Sequence, residues 1–234
     1  MQISEPDGIY LRPTPILDSD HPEVQSFARE HAGGLADPVG RAVALYYAVR
    51  DGIRYDPYSP FYLPEHYRAS TILKKGRGYC VCKAGLLCAL GRAAGIPSRV
   101  GFATVRSHIA TRQLLDFLGS NLFVYHGFTE FLLEGKWVKA TPAFNIELCQ
   151  RHSVEPLEFD GRHDALFQAY NTENKKFMEY VTYHGTYADI PVEQLVKAWE
   201  ETYGRERVQS WIEAFEKFGA ATARDFLKED VVKS

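Results

Sequence analysis

The stretch GRGYCVCKAGLLCALGRAAGIP, residues 76–97, holds three of the chain's four cysteines within nine positions. From Cys80 to Ala94 the only charged residues are Lys83 and Arg92, and the remainder is apolar on nearly every side of a helical projection. A helix apolar all round is a buried one. Gly95 and Pro97 supply the glycine-then-proline ending expected after a helix. The stretch therefore predicts a central buried helix over 80–94 that begins at Cys80, with the rest of the domain wrapped round it.

Upstream, residues 21–32 read as a short helix ended by Gly33 and Gly34. Residues 37–51 read as another, with Asp37 as N-cap and Pro38 at the first helical position. Downstream, SRVGFATVR (98–106) and LFVYHGFTEFLL (122–133) read as strands, and a Glu134-Gly135 turn leads to a third, KWVKATPAF (136–144). Residues 107–121 read as a loop with a short helix. KKFMEYVTYHG (175–185) reads as a further strand, and 191–203 and 205–229 as amphipathic helices, with Val208, Trp211, Ile212 and Phe215 as a core-facing stripe. Helices, a central buried helix, an antiparallel sheet and closing helices make an α+β fold. Residues 1–150 form the expected core, and 151–234 a C-terminal extension packed on it in a single globular unit.

The chain has 234 residues, 45% hydrophobic and 24% charged, with a net charge of -3. These are globular values, with enough chain for a sizeable core and no electrostatic pull towards nucleic acid or anionic membrane. No run approaches the roughly 20 apolar residues of a membrane span. The N-terminal MQISEPDGIYLRPTP lacks the basic and apolar regions of a secretory signal, so a cytoplasmic location is expected. Cys80 and Cys82 are too close for an ordinary disulfide, and Cys88 would stand about 12 Å along the helix from Cys80. Thiols are expected.

Three readings compete for Cys80. Free cysteines are commonly buried and inert. A helix N-terminus, however, lowers a thiol pKa, and Lys74, Lys75 and Arg77 add positive charge beside it. Gly76 and Gly78 let the backbone turn and leave room for a substrate to approach. The third reading is zinc, with Cys80 and Cys82 joined by Cys149 and His152. Cys82 points about 200° round the helix from Cys80, which weighs against that set. A nucleophile needs a base, and His126 lies in the second strand. If the turn is the two residues Glu134-Gly135, His126 falls opposite Ala143, with Thr141 and Asn145 diagonal to it on one face. Either could accept the second imidazole N–H, the third role in a Cys-His-acceptor arrangement.

These residues resemble a known family. Gly78, Cys80, Ala84, Arg92, Gly95, Ile96, Pro97 and Arg99 are similar in kind and spacing to the core motif of the transglutaminase-like superfamily. The upstream AVALYYAVRDGIRYDPYSP and the downstream YHGFTEFLLEGKWVKATP resemble its flanking blocks, so the likeness spans about 37–145. The resemblance implies a papain-like core with the nucleophile on the central helix, at Cys80, and the base on the sheet, at His126. It also implies a catalytic aspartate after the Trp-Val strand, where this chain has Thr141. Asn145 is the nearest amide and Asp160 a further candidate. Where relatives often carry an acid two positions after the nucleophile, this chain has Cys82.

The function expected is acyl transfer or hydrolysis of an amide or peptide bond through a Cys80 thioester. The Cys80 N–H would help hold the oxyanion, Tyr55 would be a second donor, and Gly78 and Tyr79 would border the substrate. The alternatives are a non-catalytic binding module on the same fold and a zinc protein. No cofactor or metal is expected on the leading reading. The expected partner is a peptide, protein or small amide, with no nucleic acid or membrane. The aromatic-rich segments 159–170 and 177–187 are expected either to roof the cleft or to fill the core.

Overall fold

The computed structural model describes residues 8–219 and 225–233. Helices α1 (Pro22–Ala32) and α2 (Pro38–Gly52) come first. Asp37 caps α2, its Oδ1 accepting the Gly40 N–H at 2.7 Å. A two-residue strand β1 (Arg54–Tyr55), helix α3 (Ala69–Lys75) and a second short strand β2 (Arg77–Gly78) lead into α4 (Cys80–Ala93). β1 and β2 pair in parallel, setting Tyr55 beside Gly78 at the entrance to α4.

Helix α4 is the centre of the molecule, buried at every position from Cys80 to Arg92. It stops where the sequence predicts, with Gly95 in the left-handed region (φ 76°) and the Ile96 N–H closing back on the Gly91 carbonyl at 2.8 Å. After it come β3 (Ser98–Ser107), β4 (Ile109–Thr111), α5 (Arg112–Leu118), β5 (Leu122–Leu133) and β6 (Lys136–Ala140). Helix α6 (Ile146–His152), β7 (Met178–Tyr187), α7 (Val192–Tyr203), α8 (Arg205–Phe218) and β8 (Val231–Lys233) complete the chain. The main sheet runs β6-β5-β3-β7, antiparallel throughout, with α4 packed across β5 and β3. The fold is α+β.

The β5–β6 turn is the expected Glu134-Gly135, both residues at positive φ (49° and 81°), as a two-residue hairpin requires. The register is also as expected at the turn, with Leu133 paired to Lys136. It stops sooner, however. The third strand ends at Ala140 rather than 144, because Pro142 has no N–H for the ladder, and the chain instead bridges Ala140 to Ala165. His126 is paired on its other side, to Ala103 of β3, and has no ladder partner at Ala143.

Two other elements differ from expectation. The strand placed at 175–185 runs Met178–Tyr187 as an edge of the main sheet. The helix placed at 205–229 ends at Phe218, where Gly219 turns left-handed (φ 69°). Residues 220–224 of that expected helix lie outside the described residues. Beyond them, Phe226–Lys228 form a 3-10 turn and β8 pairs with β4. Val208, Trp211 and Phe215 are buried and Ile212 half-buried, and the Trp211 ring stacks on Phe117 of α5 at 4.3 Å. The region after 150 thus adds a strand to the main sheet and a helical pair against its end.

Candidate active site

The parallel β1–β2 pair delivers the chain to Tyr79, which is extended (φ -88°, ψ -175°) and offers no side-chain cap to α4. The first N–H groups of α4 are therefore left for another acceptor. Cys80 fills that place. It is 6% exposed, and burial pushes its thiol up to about 11. The N–H groups of Gly127, Val81 and Cys80 itself face the sulfur and pull the other way, by favouring a thiolate.

The Gly127 contact depends on a missing side chain. A Cβ there would stand 2.8 Å from the Val81 Cα, so only glycine lets β5 come this close to the start of α4. That approach brings the neighbouring His126 to the cavity that Cys80 lines. His126 is 4% exposed, and burial holds its imidazole down to about 3, so the ring is neutral at ordinary pH. Its Nε2 is sealed from solvent without a hydrogen-bond partner, and the Phe167 ring packs 4.8 Å away.

The shared cavity is small, about 30 Å³. Tyr55 and Tyr79 form one wall, Leu114 and Leu118 of α5 a second, and Trp199 and Tyr203 of α7 a third. α7 is bolted to β5. The Trp199 Nε1–H donates to the Val124 carbonyl at 3.1 Å, and the Tyr203 hydroxyl accepts from the Val124 N–H and donates to the Leu122 carbonyl, both at 3.0 Å. The roof over the pair is therefore α5 and α7. Of the aromatic segments 159–170 and 177–187, Phe167 serves as a wall behind His126, and Phe177 and Met178 are core.

The remaining predicted residues separate into three groups. Tyr55 and Thr141 are both buried. The Tyr55 hydroxyl makes no hydrogen bond among the described residues, and the ring lines the cavity beside Cys80. Burial keeps that phenol protonated, well above its usual range, so it remains a donor. Thr141 is 1% exposed, and its Oγ1, like His126 Nε2, makes no hydrogen bond of full geometry among the described residues. Across it lies the Tyr180 hydroxyl, which accepts the Phe167 N–H at 3.3 Å.

Asn145 and Asp160 are corrections. The Asn145 Oδ1 accepts the Tyr55 N–H at 2.8 Å, and its Nδ2 donates to the carbonyls of Ile53 (2.9 Å) and Arg50. Both donors are spent on backbone, and the residue lines a separate groove of about 450 Å³. Asp160 is held in its own exposed loop by the N–H groups of Arg162 and His163, each at 2.8 Å, and by the His163 ring. Neither reaches His126, whose Nε2 is unpartnered.

Gly78 and Tyr79 have structural roles. A Cβ on Gly78 would lie 2.5 Å from the Cys82 Cβ, so the glycine makes room for the helix rather than for a substrate. The Tyr79 hydroxyl pairs with that of Tyr67 at 2.6 Å, and Tyr67 in turn donates to the Phe61 carbonyl. The Tyr79 ring borders the cavity, but its hydroxyl is occupied. All four cysteines are free. Cys82 faces the His66 carbonyl, Cys88 is core, and Cys149 faces the Phe144 carbonyl. Among the described residues no three His, Cys, Asp or Glu side chains are grouped to hold a metal ion.

Sequence reasoning missed the knot that holds Tyr55. Lys83, fully buried on α4, donates to the carbonyls of Arg50 (2.9 Å) and Ile53 (2.6 Å), the two that also accept from Asn145. Burial keeps its ammonium well below the usual lysine range. A lysine inside an otherwise apolar helix was the available signal. The Arg99–Glu130 pair (2.6 Å) is likewise structural, with the guanidinium 4.0 Å over Trp137 and the carboxylate buried on β5.

No curated protein matches the chain. Among solved structures, a candidate cysteine protease from Cytophaga hutchinsonii superposes with a TM-score of 0.53 at 15% identity, covering 83% of this chain and 51% of that one. The chain thus spans about half the length of that protein. A candidate protease from Parabacteroides distasonis (TM-score 0.38, 16% identity, 58% of this chain and 26% of that one) shows a weaker likeness. So does the periplasmic domain of TgpA from Pseudomonas aeruginosa (0.37, 22%, 52% and 42%). At these identities the likeness concerns the fold alone. The family model of the transglutaminase-like superfamily matches residues 25–142, half of the chain and the part that carries Tyr55, Cys80, His126 and Thr141. By that match and by its fold, the chain belongs to the transglutaminase-like superfamily.

Proposed function

We propose that the chain is a cysteine-dependent acyltransferase or hydrolase acting on an amide, peptide or related acyl bond. One observation carries this reading. Cys80, at the uncapped start of a buried helix, and His126, on the strand brought against it by Gly127, line a single small cavity. His126 takes the Cys80 proton on Nδ1, the ring nitrogen that is not sealed, and the sulfur attacks the acyl carbonyl. The Cys80 N–H and the Tyr55 hydroxyl hold the oxyanion. Collapse breaks the bond to the leaving amine, which receives the proton from His126, and leaves a Cys80 thioester. Water or a second amine then takes the acyl group.

Burial disfavours the ion pair this requires, because both charged forms lie in an apolar enclosure. A bound substrate that displaces water and presents its carbonyl to the same N–H groups is the natural trigger. The competing reading, a binding module that keeps the fold without turnover, draws on the unpartnered His126 Nε2, since nothing orients the base.

Thiol labelling of the folded protein tests the assignment. Iodoacetamide should modify Cys80 before Cys82, Cys88 or Cys149, and Cys80→Ala should abolish that label while leaving the circular dichroism unchanged. Labelling that persists in Cys80→Ala, or appears at Cys80 only on unfolding, would sink the nucleophile.

A further inference from the structure

The cavity at Cys80 is built to be small and to exclude charge. No side chain on its walls carries a charge at neutral pH, since Cys80 is a thiol, His126 is neutral and the tyrosines are protonated. Of the three tyrosine hydroxyls on the walls, those of Tyr79 and Tyr203 are already engaged, which leaves only Tyr55 to solvate an incoming polar group. A charged group placed against these walls would lose part of its water and gain one hydroxyl, a poor exchange in an apolar cleft.

The volume of about 30 Å³ is room for roughly two waters, or for a group of a few heavy atoms. The walls are not loose. Trp199 and Tyr203 are pinned by hydrogen bonds to β5, and α5 is fixed at its start by Thr111, whose hydroxyl caps the Leu114 N–H at 3.1 Å and donates to the buried Glu229 at 2.6 Å. Leu118 is the aliphatic wall side chain on the last turn of α5, just before left-handed Gly119.

We propose that the acyl group accepted by Cys80 is short and uncharged, and that Leu118 sets its length. The inference rests on Cys80 being the nucleophile. An aryl ester reports it directly: the Cys80 sulfur bonds to the acyl carbon, the C–O bond breaks, and the thiol proton leaves with the nitrophenol through His126.

The test compares four p-nitrophenyl esters, acetyl, propionyl, octanoyl and glycyl. Each acylation rate is divided by that of free cysteine with the same ester, and intact-protein and peptide mass spectrometry locates the adduct. Propionyl and glycyl are close in size and differ in charge, which separates the two criteria. Acetyl and propionyl should react similarly, while octanoyl and glycyl should each be slower by about tenfold or more. Leu118→Ala should raise the octanoyl rate about tenfold and leave the glycyl rate low. Leu114→Ala serves as the second variant should Leu118→Ala fail to fold.

Adducts on Cys80 with equal normalised rates for all four esters would overturn the inference and leave the nucleophile standing. A wild-type preference for octanoyl or glycyl would do the same, as would an unchanged octanoyl rate in both folded variants. No acyl adduct on Cys80 from any ester would overturn the nucleophile assignment, and the inference with it.

Discussion

The front and the flank of helix α4 are both buried, yet they treat polar atoms in opposite ways. On the flank, Lys83 and Asn145 give their hydrogens to the Arg50 and Ile53 carbonyls, and Asn145 also takes the Tyr55 N–H. Every group in that knot has a partner. At the front, among the described residues, His126 Nε2 has none, Thr141 Oγ1 is faced by the Tyr180 hydroxyl without a bond of full geometry, and backbone N–H groups meet the Cys80 sulfur. Unpaired buried polar atoms cost free energy and are rare in folded proteins. The flank is therefore read as structure, and the front as a place where another group enters or where a cost is borne for chemistry. A carboxylate at the position of Thr141 would be an acceptor for that gap, and this chain has a hydroxyl there.

The comparison can be broken in order of expected effect. Asn145→Ala strips the knot of two donors and leaves the buried Tyr55 N–H unpaired. It should lower stability by about 2–3 kcal/mol, measured by denaturant unfolding. A loss below the error of that measurement would mean that the knot is not structural, and the contrast would fall.

Gly127→Ala probes the seam between the two regions. The added methyl meets Val81 at a distance the backbone cannot keep. A cost of about 1–3 kcal/mol is expected, with a larger fractional loss in Cys80 labelling than in stability. Equal reactivity in this variant would show that the β5 approach does not build the site.

The third prediction concerns pH. His126 is held down to about 3 in the fold, against roughly 6.5 when unfolded. Below the unfolded value the unfolded chain binds the proton that the folded chain refuses. The neutral-histidine contribution is thus present above about pH 6.5 and is lost as pH falls towards 3, at up to about 1.4 kcal/mol per pH unit. His152, held down to about 4 by burial and by Arg151, adds in the same direction. His126→Gln should flatten the pH dependence of the unfolding free energy in part, leaving the share owed to His152. An unchanged slope would place His126 in solvent.

The smallest effect expected comes from Thr141→Asp. A carboxylate there should accept from Nε2, raise the imidazole pKa and speed labelling of Cys80 near neutral pH by about tenfold. No shift in the pH-rate profile would show that Thr141 is not the position behind the ring.

Much of this was legible beforehand because it depends on neighbours in the chain. A helix with two charges in fifteen residues must be buried, a glycine and proline must end it, and Glu134-Gly135 must turn tightly. Those local rules, with the spacing of Cys80 and His126, carried the α+β fold, the central helix and the candidate pair. The third partner could not be read that way. It depended on how far β6 pairs beyond Ala140, and Pro142 ended the ladder before the register reached His126.

Tertiary packing alone decided what each polar side chain is used for. Asn145, Gly78 and Tyr79 sit close to the site in sequence pattern, but the packing commits them to structure, Asn145 through a segment some 90 residues away, Gly78 against Cys82 and Tyr79 through Tyr67. The roof was equally hidden, since Leu118, Trp199 and Tyr203 reach Cys80 only when α5 and α7 fold against β5. Periodicity records which face of an element is buried. Which buried groups find a partner, and how little space remains beside a thiol, is settled by elements that meet across the fold.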